Sequence, residues 1–199
     1  MADLLRKGAA ALACLLLLTP TAKARNRTLD EAVLDELNFA RTQPAAYARA
    51  LQDEAYRTRA GGASDDPSAF EEAIDFLRSQ RPLPPLEPAS ALAEAALSHA
   101  AFQGREGGFG HTGPGGESLG ERLRRHGAFA MLMAEDISYG YSSPREVISQ
   151  LIVDSGVPDR GHRANIFNAA FRDAGVACGP HRVYGAMCVV DFSGSLMRR

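Results

Sequence analysis

Two histidines and three carboxylates are the side chains of this sequence best suited to chemistry at a shared site. They are His111, Glu135, Asp136, Asp154 and His162. His162 lies in the charged stretch 159–167, which runs directly into apolar residues, and Gly161 before it permits a backbone angle that other residues avoid. His111 lies in the glycine-rich segment 104–116, which is predicted to be a loop. The sequence therefore predicts one cleft that holds both imidazoles and two or three carboxylates.

Three kinds of chemistry are open to this group of residues. His111, Glu135, Asp154 and His162 offer the nitrogen and oxygen ligands that zinc or another divalent cation accepts. A second interpretation is a hydrogen-bonded network in which the carboxylates orient neutral imidazoles. A third is a general base that titrates near neutral pH. Because the spacing matches no metal-binding motif, the residue types alone do not choose among the three.

Size and charge limit the class of protein. The 199 residues are enough for one well-buried domain after an N-terminal segment is removed. The net charge is −2 and no basic stripe occurs, so nucleic acid is not an expected partner. The 19 glycines and 11 prolines favour a loop-rich domain over a helical bundle.

The N-terminus has the features of an export signal over residues 1–24. Arg6 and Lys7 precede an apolar run over residues 8–18, and Ala22-Lys23-Ala24 fits a small-x-small cleavage site. The run is too short to span a bilayer comfortably. An uncleaved anchor, a buried helix and a lipid attached at Cys14 are the alternatives.

Cleavage of this signal would leave a secreted or periplasmic protein with no stable membrane span. We expect residues 25–199 to form a single domain, with 25–86 as its helical N-terminal part. Cys178 and Cys188 remain, and an even cysteine count in an exported chain favours a disulfide over two free buried thiols. Ser138 and Ser155 lack the Gly-x-Ser-x-Gly turn of a serine nucleophile, so hydrolysis through serine or cysteine is poorly supported.

Cap residues and helical spacing predict the elements that position the site. Thr28 and Glu31 form a capping box before a helix over 29–42, and Ser143-Pro144 starts the last clear helix, with Asp154 at the edge of its apolar arc. Further helices are predicted over 47–56, from a Ser68 cap onward, over 88–102 and over 117–126.

Three polar side chains near these elements have simple structural interpretations. Arg41 projects near an apolar face, so it either bonds to a carboxylate or loop carbonyls or lies along the surface with its head in water. We interpret His99 as an imidazole at the core edge that bonds to the backbone. His181 is predicted to be solvated at a hairpin tip.

The C-terminal part has the pattern of a β-hairpin. Residues 174–178 and 186–192 are short apolar runs, and Gly179-Pro180 and Gly185 mark the connection between them. Because helices precede and surround this hairpin, the sequence predicts an α+β fold.

Five segments follow one another in the order and spacing of a known family. Phe109-Gly110-His111-Thr112-Gly113 resembles Phe-Ser-His-x-Ser, and Ala134-Glu135-Asp136-Ile137 stands in the place of Gly-Glu-Asn-Ile. Gly161-His162-Arg163-Ala164-Asn165-Ile166 closely matches the bacterial Gly-His-Arg-x-Asn-Ile signature. Asn38–Arg41 and Ser98–Ala100 resemble the motifs of two family helices. The chain thus resembles the CAP superfamily (cysteine-rich secretory, antigen 5 and pathogenesis-related proteins), in its bacterial SCP-like branch.

This resemblance implies a three-layer α-β-α sandwich with an antiparallel sheet. It also implies a cleft that holds a tetrad of two histidines and two acids, which by position are His111, His162, Glu135 and Asp154. Family members are exported, and some bind sterols, fatty acids or other lipids, or bind divalent cations at the tetrad. Proteolysis has been proposed for some members. No general catalytic activity is established for the family.

The chain departs from the family pattern at the site itself. Asp136 replaces an asparagine and is expected to add a negative charge beside Glu135. Asp154 is one methylene shorter than glutamate, and Leu151 takes the place of a tryptophan. The segment 47–86 carries no family motif.

We expect an exported CAP-domain protein whose cleft binds a divalent cation, a small amphipathic lipid-like ligand, or both. The metal ligands would be His111 and His162, with Glu135 and Asp154 as further candidates, and zinc is the first cation to test. A metal-assisted hydrolase of peptide or cell-wall material, with Glu135 as base, is one alternative. A structural protein that meets an extracellular partner, with the tetrad as a hydrogen-bond network, is another.

Overall fold

The computed structural model describes residues 28–60 and 66–196. The predicted export signal lies outside these residues. Within the described part of the chain, no helix is both long enough and apolar enough to cross a membrane.

Seven helices and four strands make up the described chain. The helices are α1 (Leu29–Thr42), α2 (Pro44–Ala60), α3 (Pro67–Ser79), α4 (Ser90–Glu106), α5 (Leu119–Arg125), α6 (Pro144–Val153) and α7 (Gly161–Ile166), with a single 3-10 turn at Pro114–Gly116. The strands are β1 (Glu87–Pro88), β2 (Met133–Tyr139), β3 (Asp173–His181) and β4 (Gly185–Ser193).

The sheet has the strand order β1-β3-β4-β2, so β2 is an edge strand. β3 and β4 form the predicted antiparallel hairpin, and β2 pairs antiparallel to β4. The two-residue β1 pairs parallel to β3, so the sheet is mixed rather than wholly antiparallel.

Helices cover both faces of this sheet and produce the α-β-α sandwich. On one face α4 packs directly against β3 at Gly175, where an added Cβ would lie 2.1 Å from the Ala93 nitrogen. The opposite face packs against α1, α6 and α7, and Val176 and Val190 belong to that larger core. Alternate strand residues therefore serve two different helical layers. The α+β class and the layered architecture predicted from the sequence are confirmed.

A disulfide joins the two strands of the hairpin. Cys178 and Cys188 lie directly opposite each other in the β3–β4 register, and their Sγ atoms are 2.07 Å apart. The cross-link closes a loop with a sequence separation of 10 residues. Cross-linking constrains the unfolded chain, an effect of about 2–3 kcal/mol for a short loop.

Local signals predicted several element ends correctly. Thr28 and Glu31 form the capping box of α1, and the Ser143 side chain accepts from the Glu146 amide at the start of α6. The cap of α3 was predicted two residues too late, because Asp66 accepts from the Ser68 amide and Pro67 takes the first helical position. Helix α2 extends to Ala60, beyond its predicted end.

Two features around the site differ from the sequence prediction. Strand β2 was not predicted, because the adjacent Glu135 and Asp136 interrupt any alternation of apolar and polar residues. Helix α7, which begins at Gly161 and carries His162, was not predicted, and the left-handed backbone angle belongs to Arg160 (φ 50°) rather than to Gly161.

Arg41 ties the first helix to the connection beyond α7. Its guanidinium is fully buried and donates to the carbonyl oxygens of Pro84 (3.2 Å), Ile166 and Asn168 (3.2 Å). Burial, together with the charge of Arg172, lowers the pKa of Arg41 to about 10. The predicted loop carbonyls, and not surface water, are therefore the partners of this side chain.

Candidate functional site

His111 and Glu135 form the first pair of the predicted tetrad. Nδ1 of His111 lies 2.9 Å from Oε1 of Glu135, and Nη2 of Arg122 donates to Oε2. The Glu135 and Arg122 side chains are buried, whereas the His111 side chain is 55% exposed. Both carboxylate oxygens are thus occupied, one by an imidazole at the surface and the other by a buried guanidinium.

The pKa of Glu135 reflects two opposing effects. Burial on its own raises the pKa of this carboxyl, but the His111 hydrogen bond and the positive charge of Arg122 lower it below its usual value. Asp191 lies directly opposite Glu135 on β4. Burial and the neighbouring Glu135 carboxylate raise the pKa of Asp191 well above its usual value. Of this carboxyl pair, Glu135 is therefore the member that ionises at the lower pH.

His162 and Asp154 form the second pair. Nδ1 of His162 lies 2.7 Å from Oδ1 of Asp154, and the His162 backbone amide donates to Oδ2 at 3.0 Å. The hydrogen bond to Asp154 raises the pKa of His162, although burial opposes it. Asp154 ends helix α6 in a left-handed conformation (φ 53°), which directs its carboxylate towards the start of α7.

Hydrogen bonds from two arginines, with one glutamate as their shared acceptor, hold the turn between α6 and α7 where this second pair lies. The buried Arg163 donates to the carbonyl oxygens of Ile152 (2.6 Å) and Val153 (3.1 Å) at the end of α6. Arg160 donates to the carbonyl oxygen of Asp154 at 2.7 Å. Glu72 of α3 accepts from both arginines, at 2.9 Å from Arg163 and 2.6 Å from Arg160. The family-like Gly-His-Arg sequence therefore holds its own histidine in place.

Asp136 faces the opposite side of β2 from Glu135 and is fully buried. Nδ2 of Asn165 donates to Oδ1 of Asp136 at 2.7 Å, and Oδ2 has no hydrogen-bond partner among the described residues. Burial is the main cause that raises the pKa of Asp136 to about 8, and the Asp154 and Glu135 carboxylates add to it. The expected extra negative charge is therefore absent at neutral pH, because the carboxyl is mostly protonated.

The four predicted site residues thus form two carboxylate–imidazole pairs. His111 and Glu135 meet on the α4 side of the edge strand, and Asp154 and His162 meet at the junction of α6 and α7. Of the three interpretations open from the sequence, orientation of imidazoles by carboxylates matches these contacts. The assignment of the four residues to one shared ligand stays a prediction.

A partly open cavity of about 590 Å³ lies between the edge strand, α6 and the turn after α6. Aromatic and aliphatic side chains form most of its wall, and His162 and Asp154 line its polar part. The lining residues are Phe70, Phe109, Ile137, Tyr139, Tyr141, Glu146, Ser149, Gln150, Leu151, Val153, Asp154, Ser155, Val157 and His162. The cavity is therefore amphipathic.

Sequence reasoning missed several residues of this site. Tyr139 and Tyr141 lie at the end of the unpredicted strand β2, so nothing indicated that they line a cavity. Arg122 was assigned no role, although an arginine among the apolar positions of a short helix signals a buried partner. Asp191, inside an apolar strand, carried the same signal.

Two other histidines are buried and bond to the backbone. His99, 1% exposed, places Nε2 2.9 Å from the Gly110 carbonyl oxygen, as predicted for an imidazole at the core edge. Burial lowers the pKa of His99. The prediction that His181 is solvated was wrong, because it is 2% exposed and bonds to the Gly108 carbonyl oxygen at 2.9 Å.

The contacts of Glu135 and Asp154 test whether the pairs fit a metal ion. Arg122 holds one oxygen of Glu135 and disfavours a cation there, and both oxygens of Asp154 bond to His162. Within residues 28–60 and 66–196, no group of three or more His, Cys, Asp or Glu side chains is arranged to hold a metal. The carboxylates therefore do not fit as direct ligands. Each imidazole still has its Nε2 atom, which bonds to none of the described residues.

Three solved structures resemble this chain. An extracellular protein containing an SCP domain from Bacillus anthracis is 25% identical, with a TM-score of 0.49 over 63% of this chain and 38% of its own. An outer surface protein from Borrelia burgdorferi is 19% identical, with a TM-score of 0.47 over 59% of this chain and 80% of its own. A cysteine-rich secretory protein from Staphylococcus aureus is 18% identical, with a TM-score of 0.40 over 66% of this chain and 38% of its own.

The chain thus spans 38% of the length of the Bacillus protein. No curated protein sequence matches it significantly. The model of the cysteine-rich secretory protein family matches residues 71–192, which include both pairs, the disulfide and all of the sheet except Ser193. On this match the chain belongs to the cysteine-rich secretory protein (CAP) family.

Proposed function

We propose that this exported CAP-domain protein binds a small amphipathic ligand in the cavity beside β2. The observation that carries the proposal is the amphipathic lining of the 590 Å³ space. A cavity of this size suits a single small molecule, since ligand sites are mostly apolar with a few oriented polar groups. Phe70, Leu151 and Val153 supply apolar wall, and the His162–Asp154 pair supplies oriented polar atoms.

Export is supported by two independent features. The disulfide between Cys178 and Cys188 is typical of proteins that mature in an oxidising compartment. The N-terminal sequence has the charge and hydropathy pattern of a signal peptide. Both features together support a secreted or periplasmic location.

Filling the cavity should abolish ligand binding. Val157 lines the cavity from the turn after α6, so Val157→Trp places an indole in the ligand's space. We expect the affinity for dansylaminoundecanoic acid, a single-chain amphiphile, to fall at least tenfold, which corresponds to about 1.4 kcal/mol. Fluorescence titration with direct excitation of the dansyl group measures this change.

Leu97→Trp is the matched control, because Leu97 is 55% exposed on α4 and lies outside the cavity lining. Its affinity for the probe should equal that of the wild type. Absence of probe binding in the wild type, or an equal affinity in Val157→Trp, would show that this cavity is not the ligand site.

Divalent cation binding is the second candidate, favoured by the hydrogen bonds at Nδ1 of both imidazoles. Metal-ligating histidines usually donate their other nitrogen to a carboxylate, as His111 can to Glu135 and His162 to Asp154. Because Nδ1 of each ring is already hydrogen-bonded, the proposed ligand atoms are the two Nε2 atoms. The chemistry that zinc supplies when bound is polarisation of an oxygen ligand.

Zinc titration by calorimetry separates the roles of these residues. We expect binding to be lost in His111→Ala/His162→Ala, and to weaken by roughly 10–100-fold in Asp154→Asn, which removes the charge and one of the two oxygens that bond to His162. Binding should also weaken as pH falls through the raised pKa of His162, because the proton competes for the ring. Full affinity in the double variant would exclude both imidazoles as ligands.

The hydrolase alternative receives less support. Its proposed base, Glu135, is buried, bonds to Arg122 and has a lowered pKa. A carboxylate with a lowered pKa is a weak proton acceptor. Glu135 also lies outside the cavity lining.

A further inference from the structure

Three exposed apolar side chains gather at the tip of the β3–β4 hairpin. Phe109 is 76% exposed, Val183 63% and Tyr184 46%. The ring centroids of Phe109 and Tyr184 lie 6.5 Å apart, and Tyr139 stands between them at 4.9 Å and 5.2 Å. We call Phe109, Val183 and Tyr184 the apolar tip.

Buried His181 fixes the shape of this tip. Its Nε2 atom lies 2.9 Å from the Gly108 carbonyl oxygen, and its Nδ1 atom accepts from the amides of Val183 (3.2 Å) and Tyr184 (3.1 Å). These bonds require the neutral ring with its proton on Nε2. One side chain therefore joins the loop that carries Phe109 to the turn that carries the other two residues.

Several backbone polar groups around the tip have hydrogen-bond partners inside the protein. The Gly110 amide donates to the Tyr139 hydroxyl at 3.0 Å, and the Gly110 carbonyl accepts from Gln103 at 2.9 Å. The Gly104 carbonyl accepts from the Arg182 amide at 3.0 Å. Backbone groups without partners are costly in a lipid phase. The groups that are bonded in this way lower the cost of bringing the tip into such a phase.

The tip is continuous with the cavity. Phe109 and Tyr139 stack on each other and both line the cavity wall. A surface that contacts Phe109 therefore also lies at the cavity mouth. The idea that a ligand passes from that surface into the cavity rests on the proposed function. Docking of the tip on the surface does not.

The size and chemistry of the tip favour a lipid surface over a folded protein. Its three side chains expose on the order of 300 Å², less than half of the roughly 800 Å² that each partner buries in a stable protein interface. Exposed Phe and Tyr with flanking cations are typical of segments that enter the membrane interface. Arg105 and Arg182 adjoin the tip, beside Glu106, and attract anionic head groups.

We propose that the apolar tip docks this protein on a lipid bilayer, with the cavity mouth facing the acyl chains. Phe109 and Val183 enter the interface, Tyr184 keeps its hydroxyl among the head groups, and Arg105 and Arg182 meet lipid phosphates.

A tryptophan reporter tests this proposal, because the chain contains no tryptophan. Phe109→Trp should show a blue-shifted emission and quenching by brominated lipid when vesicles of phosphatidylcholine and phosphatidylglycerol are added. Met131→Trp is the matched control, since Met131 is 91% exposed outside the tip. Its emission should not change. No shift in Phe109→Trp, or equal shifts in both variants, would overturn the proposal.

Replacing apolar side chains of the tip with serine gives a second test, which measures vesicle binding without an added tryptophan. Phe109→Ser/Val183→Ser should reduce the fraction of protein that co-sediments with these vesicles at least fivefold, and Met131→Ser should leave it unchanged. Pure phosphatidylcholine vesicles should bind less than the anionic mixture. Wild-type protein that stays in the supernatant with both lipids would refute the proposal.

Titration with dansylaminoundecanoic acid in lipid-free solution separates this inference from the proposed function. Probe binding without vesicle binding would refute docking and leave the cavity as a ligand site. Vesicle binding without probe binding would refute the cavity and support docking.

Discussion

Replacing Arg122 with methionine is expected to lower the free energy of unfolding by about 3–5 kcal/mol at neutral pH. Arg122 is fully buried on α5 and donates to the buried Glu135 carboxylate. Methionine keeps much of the volume but removes the charge. Glu135 must then stay ionised without its guanidinium or take up a proton, and either outcome costs stability.

Urea unfolding of Arg122→Met beside Arg124→Met measures this effect. Arg124 lies on the same helix and is exposed, so its replacement should change stability by less than about 0.5 kcal/mol. Adding Glu135→Gln to Arg122→Met should restore most of the lost stability, because no charge then remains buried without a partner. A loss below about 1 kcal/mol in Arg122→Met would show that the ion pair contributes little.

Replacing Asp136 with asparagine is expected to raise the free energy of unfolding at pH 7 by at most about 4 kcal/mol. The carboxyl has a pKa of about 8 in the folded protein, against an ordinary value of 3.8. Each pKa unit corresponds to about 1.4 kcal/mol. Because the folded pKa is raised, stability is greatest below about pH 4 and falls as pH rises towards 8. Asparagine keeps the shape and can still accept from Asn165, but it does not titrate.

The pH dependence of this gain tests its cause. Urea unfolding at pH 7 and pH 4 should show a large gain for Asp136→Asn at pH 7 and little gain at pH 4, because pH 4 is close to the ordinary pKa of 3.8 and far below the folded pKa of about 8. Asp75→Asn is the control, because Asp75 lies on the surface of α3 with a side chain that is 77% exposed. A gain of the same size at both pH values would mean that packing, and not ionisation, explains the effect.

The elements that form through local interactions were predictable. The Thr28–Glu31 capping box and the apolar spacing after it predicted α1 with its observed ends. Ser143-Pro144 did the same for the start of α6, and two apolar runs around Gly185 indicated the hairpin. Each signal acts within a few residues, so the sequence carries it directly.

Strand β2 could not be predicted in the same way. It is an edge strand whose centre is Glu135-Asp136, and among the described residues its one strand partner is β4, roughly fifty residues later. The two carboxyls are tolerated because each meets a partner from a distant element, Arg122 of α5 on one face and Asn165 of α7 on the other. A sequence window around β2 contains neither partner.

By itself the sequence determined the family, the α+β class and the identity of the two histidines and the two acids that pair with them. These follow from residue types and spacings along the chain. Only the tertiary structure decided which acid meets which histidine, that Asp136 is buried with a raised pKa, and that Phe109 and Tyr139 join a cavity to an exposed tip. Charge state, pairing and cavity shape depend on burial and on distances between remote segments, and neither exists before the chain has folded.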